Sequence, residues 1–265
     1  MPVLLLSPRQ LADAIGVSES SLKRWADAGK LAVSRTDGGH RRIAVSEAVR
    51  FIRDSGATVV RPDLLGLAGA SAAADAGASK RRGQFRASQT GRASTDATFA
   101  DARVVRTALV ARFLGGESIA ALGDGPIADA IARIADLRAH GRDAKCEMLA
   151  RAAEDAWTHA IAAVRALCNV GADAPVAVGG ARAPAADAPH VGTTLRSAVV
   201  AAVLAGEGLR AIDLGAHVGG AVLRAAVAAH QPAITWLVDD ITIDLDNYRV
   251  RTLAEVAAFT RGRRR

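Results

Sequence analysis

The chain has 265 residues, half of them hydrophobic and only 3% aromatic, with a formal net charge of +7 and 2 cysteines. That is enough for two domains with packed cores; it excludes a disulfide scaffold, and no apolar run approaches the ~20 residues of a membrane-spanning helix. The cationic excess suits a polyanionic partner and bears on association rather than on fold.

The first six residues, Met1 to Leu6, are too short for a secretion signal and lead straight into a helix cap. Ser7 is a good N-cap with Pro8 at the first helical position. Leu11, Ala14 and Ile15 fall on one apolar stripe, and Gly16 stops that helix. Ser18 caps a second helix, about Glu19 to Ala28, with Leu22 and Trp25 inward and Gly29 at its end. This is the helix-turn-helix pattern, whose second helix enters the DNA major groove. Lys30 to Ile43 then reads as strand, turn, strand, with Asp37-Gly38-Gly39 at the positive-φ positions of a hairpin. Arg35, His40, Arg41 and Arg42 flank that turn, where cations can straddle a phosphate backbone. Trp25 is expected to pack against this wing. A third helix, near Ser46 to Asp54, would bury Ala48, Val49, Phe51 and Ile52.

The run Val17-Ser18-Glu19-Ser20-Ser21-Leu22-Lys23-Arg24-Trp25, then Gly29-Lys30-Leu31, then Thr36-Asp37-Gly38-Gly39-His40-Arg41-Arg42-Ile43 resembles the DNA-binding domain of the MerR family. The resemblance covers about the first fifty-five residues. It implies a winged module that binds double-stranded DNA as a dimer. Carried over by position, Ser20, Ser21, Lys23 and Arg24 sit on the recognition helix, and Arg35, His40, Arg41 and Arg42 on the wing.

Gly66 to Asp96 is rich in Ala, Gly and Ser, with a basic cluster Lys80-Arg81-Arg82 and no sustained hydrophobic period, which reads as a flexible linker. Helical periodicity then marks Arg103 to Phe113, Glu117 to Leu122, Pro126 to Ala139 and Asp143 to Leu167, four helices with short joints. The last third alternates. Strands at Pro175 to Gly180, Leu209 to Gly215 and Pro232 to Val238 are separated by helices at Thr193 to Ala205 and Gly220 to His230, which implies a parallel sheet. Ile241 to Leu245 alternates like a strand and Leu253 to Phe259 is helical. The expected fold is α+β and multi-domain: a winged helix-turn-helix (1–60), a linker (61–97), a central four-helix bundle (98–170) and a truncated Rossmann-like parallel sheet (171–265).

That order resembles the cobalamin-binding repressors of the MerR family, through Gly125 to Ile134 in the bundle and Ala211 to Val218 in the sheet. The resemblance covers roughly Ala97 to Val238. It implies a Trp and a Glu-His pair on the bundle above the corrin, and a His below it, in an Asp/Glu-x-His-x-x-Gly loop, as a neutral imidazole ligand to cobalt. Here Glu147 is followed by Met148 in place of that His. Asp187-Ala188-Pro189-His190-Val191-Gly192 carries the loop's residue types at a different spacing, so His190 is the candidate axial ligand. An ordinary polar loop residue is the alternative reading of His190. Gly179-Gly180 marks the carboxyl end of a parallel strand, where α/β sheets take ligands. Asp239, Asp240, Asp244 and Asp246 form a carboxylate-rich stretch, either a metal site or a solvated loop.

The leading expectation is a transcriptional regulator whose C-terminal half serves as sensor and oligomerisation module, a dimer or higher homo-oligomer answering to a protein or small-molecule effector. The alternatives are an adenosylcobalamin-dependent light-sensing repressor and a regulator held by a protein partner. No nucleophile elbow, P-loop or metal-ligand cluster is visible, so no enzyme is expected. The expected location is the cytoplasm, on the nucleoid, without a membrane partner.

Overall fold

The computed structural model of the chain describes residues 5–65, 99–140, 144–168, 170–182, 193–239 and 242–263. The expected linker and His190 lie outside the described residues.

The amino-terminal head is built from β1 (Leu5–Leu6), α1 (Pro8–Ile15), α2 (Glu19–Asp27), β2 (Ser34–Arg35), β3 (Arg41–Ala44) and α3 (Val45–Ser55). Ser7 and Gln10 form a reciprocal capping box: each side chain accepts the other's backbone N–H, at 3.2 and 2.8 Å. Gly16 ends α1 at φ 69, a left-handed position that a side chain resists. Ser18 caps α2 by accepting Ser21 N–H at 3.1 Å. β3 pairs antiparallel with β2 and, on its other side, with β1. β1 was not expected, because a two-residue strand inside an unbroken leucine run has no alternation to betray it. Leu11, Leu22, Leu31, Ile43 and Ile52 are fully buried between the helices and this small sheet. Trp25 lies against Phe51 of α3, ring centres 5.2 Å apart. Beyond α3 the chain returns to α1, where Val60 and Arg61 both donate to the Ala14 carbonyl.

A helical layer follows: α4 (Ala102–Leu114), α5 (Ile119–Leu122), α6 (Ala128–His140) and α7 (Ala144–Ala166). α7 packs against both α4 and α6. Ala150, Ala153, Ala156 and Ala160 are buried along α7, so the alanine stripe lets its neighbours approach closely. α5 is a single turn. A wide π-type turn, Gly123–Ile127, joins it to α6, with Gly125 at φ −105, ψ −105 beside Pro126. Phe99 and Trp157 meet at 6.1 Å.

The last third holds β4 (Val176–Ala181), α8 (Thr193–Gly206), β5 (Arg210–Asp213), α9 (Gly220–His230), β6 (Ile234–Asp239), β7 (Thr242–Leu245), β8 (Tyr248–Val250) and α10 (Leu253–Arg263). The sheet order is β5-β4-β6-β7-β8. β5, β4 and β6 run parallel, whereas β7 and β8 are antiparallel additions. The sheet is therefore mixed, with five strands, and not a truncated parallel one. The turn that returns β8 carries Asp246 and Asn247, both at positive φ (47 and 73), as a two-residue hairpin demands. α8 is almost wholly buried between β4, β5 and β6 and the helices α7 and α10. α9 buries no residue. Trp236 of β6 is 1% exposed and donates to Ser197 of α8, which in turn donates to Asp213.

Candidate nucleic-acid interface

The outer side of α2 is open. Ser20, Lys23 and Arg24 are exposed, and Ser21 is half-buried. The serines are part of the helix start: Ser18 Oγ meets Ser20 Oγ at 2.8 Å and Ser21 Oγ at 2.9 Å. Arg24 Nη2 donates to Ser21 Oγ at 3.3 Å, so the guanidinium lies along the helix. A helix surface carrying two hydroxyls and two cations can meet both phosphates and base edges.

The hairpin beside it is exposed from Ser34 to His40. Of Asp37, Gly38 and Gly39 only Gly39 takes a positive φ, 78. Thr36 closes the turn: its carbonyl accepts Gly39 N–H at 2.7 Å and its hydroxyl accepts His40 N–H at 3.2 Å. Arg35 stands opposite Arg41, and Ser34 opposite Arg42. Two guanidinium groups in register repel one another. Arg41 relieves this by donating to Asp27 at the end of α2, at 2.8 Å, and its side chain is only 21% exposed. Arg41 thus braces the hairpin against α2, whereas Arg35 and His40 are exposed and Arg42 is half-buried.

Sequence reasoning missed three residues that hold this surface in place. Asp27 is one. Glu47 is buried on α3, accepts Ala32 N–H at 2.7 Å and is gripped by Arg50 at 2.5 Å. The Arg50 bond, foremost, holds the Glu47 carboxyl below its ordinary pKa, against the opposing effect of burial. Arg50 also reaches Asp54 at 2.7 Å and the Lys30 carbonyl at 3.2 Å. It therefore ties the segment between α2 and β2 to α3. A Glu four residues before the apolar Phe51, on the same helix face, and three before an Arg is the signal that could have found the pair.

Over residues 5–55 the chain matches the family model of the helix-turn-helix domain. The head is a helix-turn-helix DNA-binding domain. No curated protein matches the chain. Within this helix-turn-helix domain α1 and α2 form the motif, and α3, with its Glu47–Arg50 brace, fixes the hairpin beside it.

The other candidates lie elsewhere. Glu147 sits on α7 in ion pairs with Arg151 at 2.8 Å and Arg138 at 3.7 Å, and the Arg151 bond, foremost, lowers its pKa. Its neighbour Met148 is 71% exposed. Gly179 and Gly180 lie within β4, which runs on to Ala181. A Cβ on Gly179 would fall 2.3 Å from the Trp236 ring, and one on Gly180 would fall 2.5 Å from a Val218 methyl. The room these glycines leave is already packed with protein, and the segment 183–192 that carries His190 lies outside the described residues. Asp239 and Asp244 face Arg182 at 3.9 and 4.0 Å, and Asp244 also faces Arg249 at 3.3 Å. Asp246 bonds Thr235 and Arg263. Among the described residues no cluster of three or more metal-binding side chains forms, and no helix is long and apolar enough to cross a membrane.

Proposed function

We propose that the chain is a transcriptional regulator of the MerR type, a winged helix-turn-helix that reads double-stranded DNA as a homodimer or higher oligomer. The observation that carries this reading is the pairing of an open α2 with a cationic hairpin braced to it through Arg41 and Asp27. α2 would enter the major groove with Ser20, Ser21, Lys23 and Arg24, while Arg35, His40 and Arg42 lie along phosphates. The helical layer and the sheet would act as sensor and oligomerisation module, so that assembly sets how many heads engage one duplex. Met148, standing where the cobalamin-binding repressors carry a His beside the Glu, favours another kind of effector. The reading is of a binding protein rather than an enzyme.

The test is fluorescence anisotropy with a labelled fragment of the gene's own promoter region against random DNA, across a salt series. Preference for the promoter fragment and a steep fall in affinity with salt are expected. Equal binding to both at moderate salt would remove the regulator reading.

A further inference from the structure

The head and the body of the molecule meet across a cleft of about 520 Å³, a size suited to small ligands. One wall is α3, through Val49, Arg50 and Arg53. The facing wall includes Phe113 at the end of α4, Ala121 of α5 and Ala254 of α10. The cleft also touches the residues that precede β5, from Val203 to Gly208. It therefore lies where strands begin, away from the carboxyl ends at which α/β sheets take ligands.

Most charges in the cleft already have partners. Arg50 is bonded to Glu47 and Asp54. Arg261 meets Glu207 at 2.5 Å. Asp124 accepts the N–H groups of Leu253 and Ala254, at 2.8 and 2.9 Å. Arg53 differs. Among the described residues it forms no ion pair; its Nη1 donates to the carbonyls of Phe113 and Glu117, and its guanidinium lies 4.0 Å over the Phe113 ring. Its Nε–Nη2 edge makes no hydrogen bond among the described residues. Burial, the largest influence on this group, pushes its pKa down against the opposing pulls of Cys168 and Asp54. A half-buried guanidinium with a free side edge matches the two oxygens of one carboxylate. Val49, Ala121, Ala254 and the Phe113 ring supply an apolar surround for the rest of such a molecule.

We propose that this cleft is an effector site for a small hydrophobic monocarboxylate, with its carboxylate on the Nε–Nη2 edge of Arg53 and its apolar body between α3 and the facing helices. The site deepens the regulator reading and rests on it. A ligand touching both walls ties the head to the body in one arrangement. It shifts DNA affinity by as much as it prefers that arrangement over others.

Titration calorimetry on the full chain with benzoate and octanoate tests the site, with benzamide and inorganic phosphate as controls. At least one of the two acids is expected to bind more tightly than both controls. Arg53→Gln is expected to weaken that binding tenfold or more. Ala121→Trp, at an exposed position of α5, is expected to block the cleft while leaving the melting temperature near that of the parent chain. Failure of both acids to bind overturns the proposal, as does binding that survives both substitutions, or benzamide or phosphate binding as tightly as the acids. The bound acid is further expected to change the affinity for the promoter fragment at least threefold; saturation without any change overturns the effector role. If the chain without acid shows no preference for promoter DNA, the regulator reading fails, and the calorimetry still reports on the site by itself.

Discussion

Arg35 and Arg41 face each other across the hairpin, and their surroundings separate their roles. Arg41 is held by Asp27, while Arg35 is exposed. Replacing Arg35 with Ala is expected to weaken binding to specific and random DNA alike, and to lower the slope of log affinity against log salt by roughly 0.9, the share of one phosphate contact on duplex DNA. Its melting temperature should hold, since surface changes of this kind fall within about 0.5 kcal/mol. An unchanged salt slope would take Arg35 off the phosphate track. Glu47 makes the opposite case, a charge kept for structure. Glu47→Ala strands the Ala32 N–H and loosens Arg50, an expected loss of about 1–3 kcal/mol in urea unfolding at neutral pH. Because the Glu47 pKa is lowered from its ordinary 4.5, its contribution is present above that value and is lost as pH falls below it. Glu47→Gln should therefore flatten the fall in stability on the acid side; an unaltered acid limb would place the titrating group elsewhere.

At the level of elements, Asp124 shows how far apart cooperating residues lie. It sits in the wide turn after α5 and caps the start of α10, accepting the Leu253 and Ala254 N–H groups. Asp124→Ala is expected to cost about 0.5–2 kcal/mol, read as earlier thermal unfolding, and Asp124→Asn should recover only part of it, because its single amide oxygen can accept one of the two N–H groups. Full stability in Asp124→Ala would mean that the reciprocal Thr252–Glu255 cap at the start of α10 suffices by itself. No sequence window contains both ends of that contact, which is why it was not legible. What was legible is local: the Ser7 and Ser18 caps, the Gly16 stop, the stripe of Leu11, Ala14 and Ile15, and the strand–helix alternation from Val176 onward. The site followed the same rule. The exposed cations of α2 and the hairpin could be named from their positions in a motif, whereas Arg41's commitment to Asp27 depends on tertiary placement. β8 was missed because its turn residues, Asp246 and Asn247, lack the glycine that usually advertises a tight hairpin.

Across the whole molecule, the head is joined to the helices through Arg53, which donates to the carbonyls at the end of α4 and covers Phe113. If the body assembles the heads, a fragment of residues 1–65 should bind promoter DNA about a hundredfold more weakly than the full chain, from the loss of effective concentration alone. Anisotropy measures both, and equal affinities would show that the body contributes nothing to assembly on DNA.

The distribution of the three indoles carries a practical corollary. Trp25 belongs to the head, Trp157 to the helical layer and Trp236 to the sheet, each in a different packing environment. Keeping one and changing the other two to phenylalanine would give three reporters of emission colour, each sensing the melting of its own region. Superimposable curves would reveal a single cooperative unit; staggered curves would rank the regions by their order of collapse.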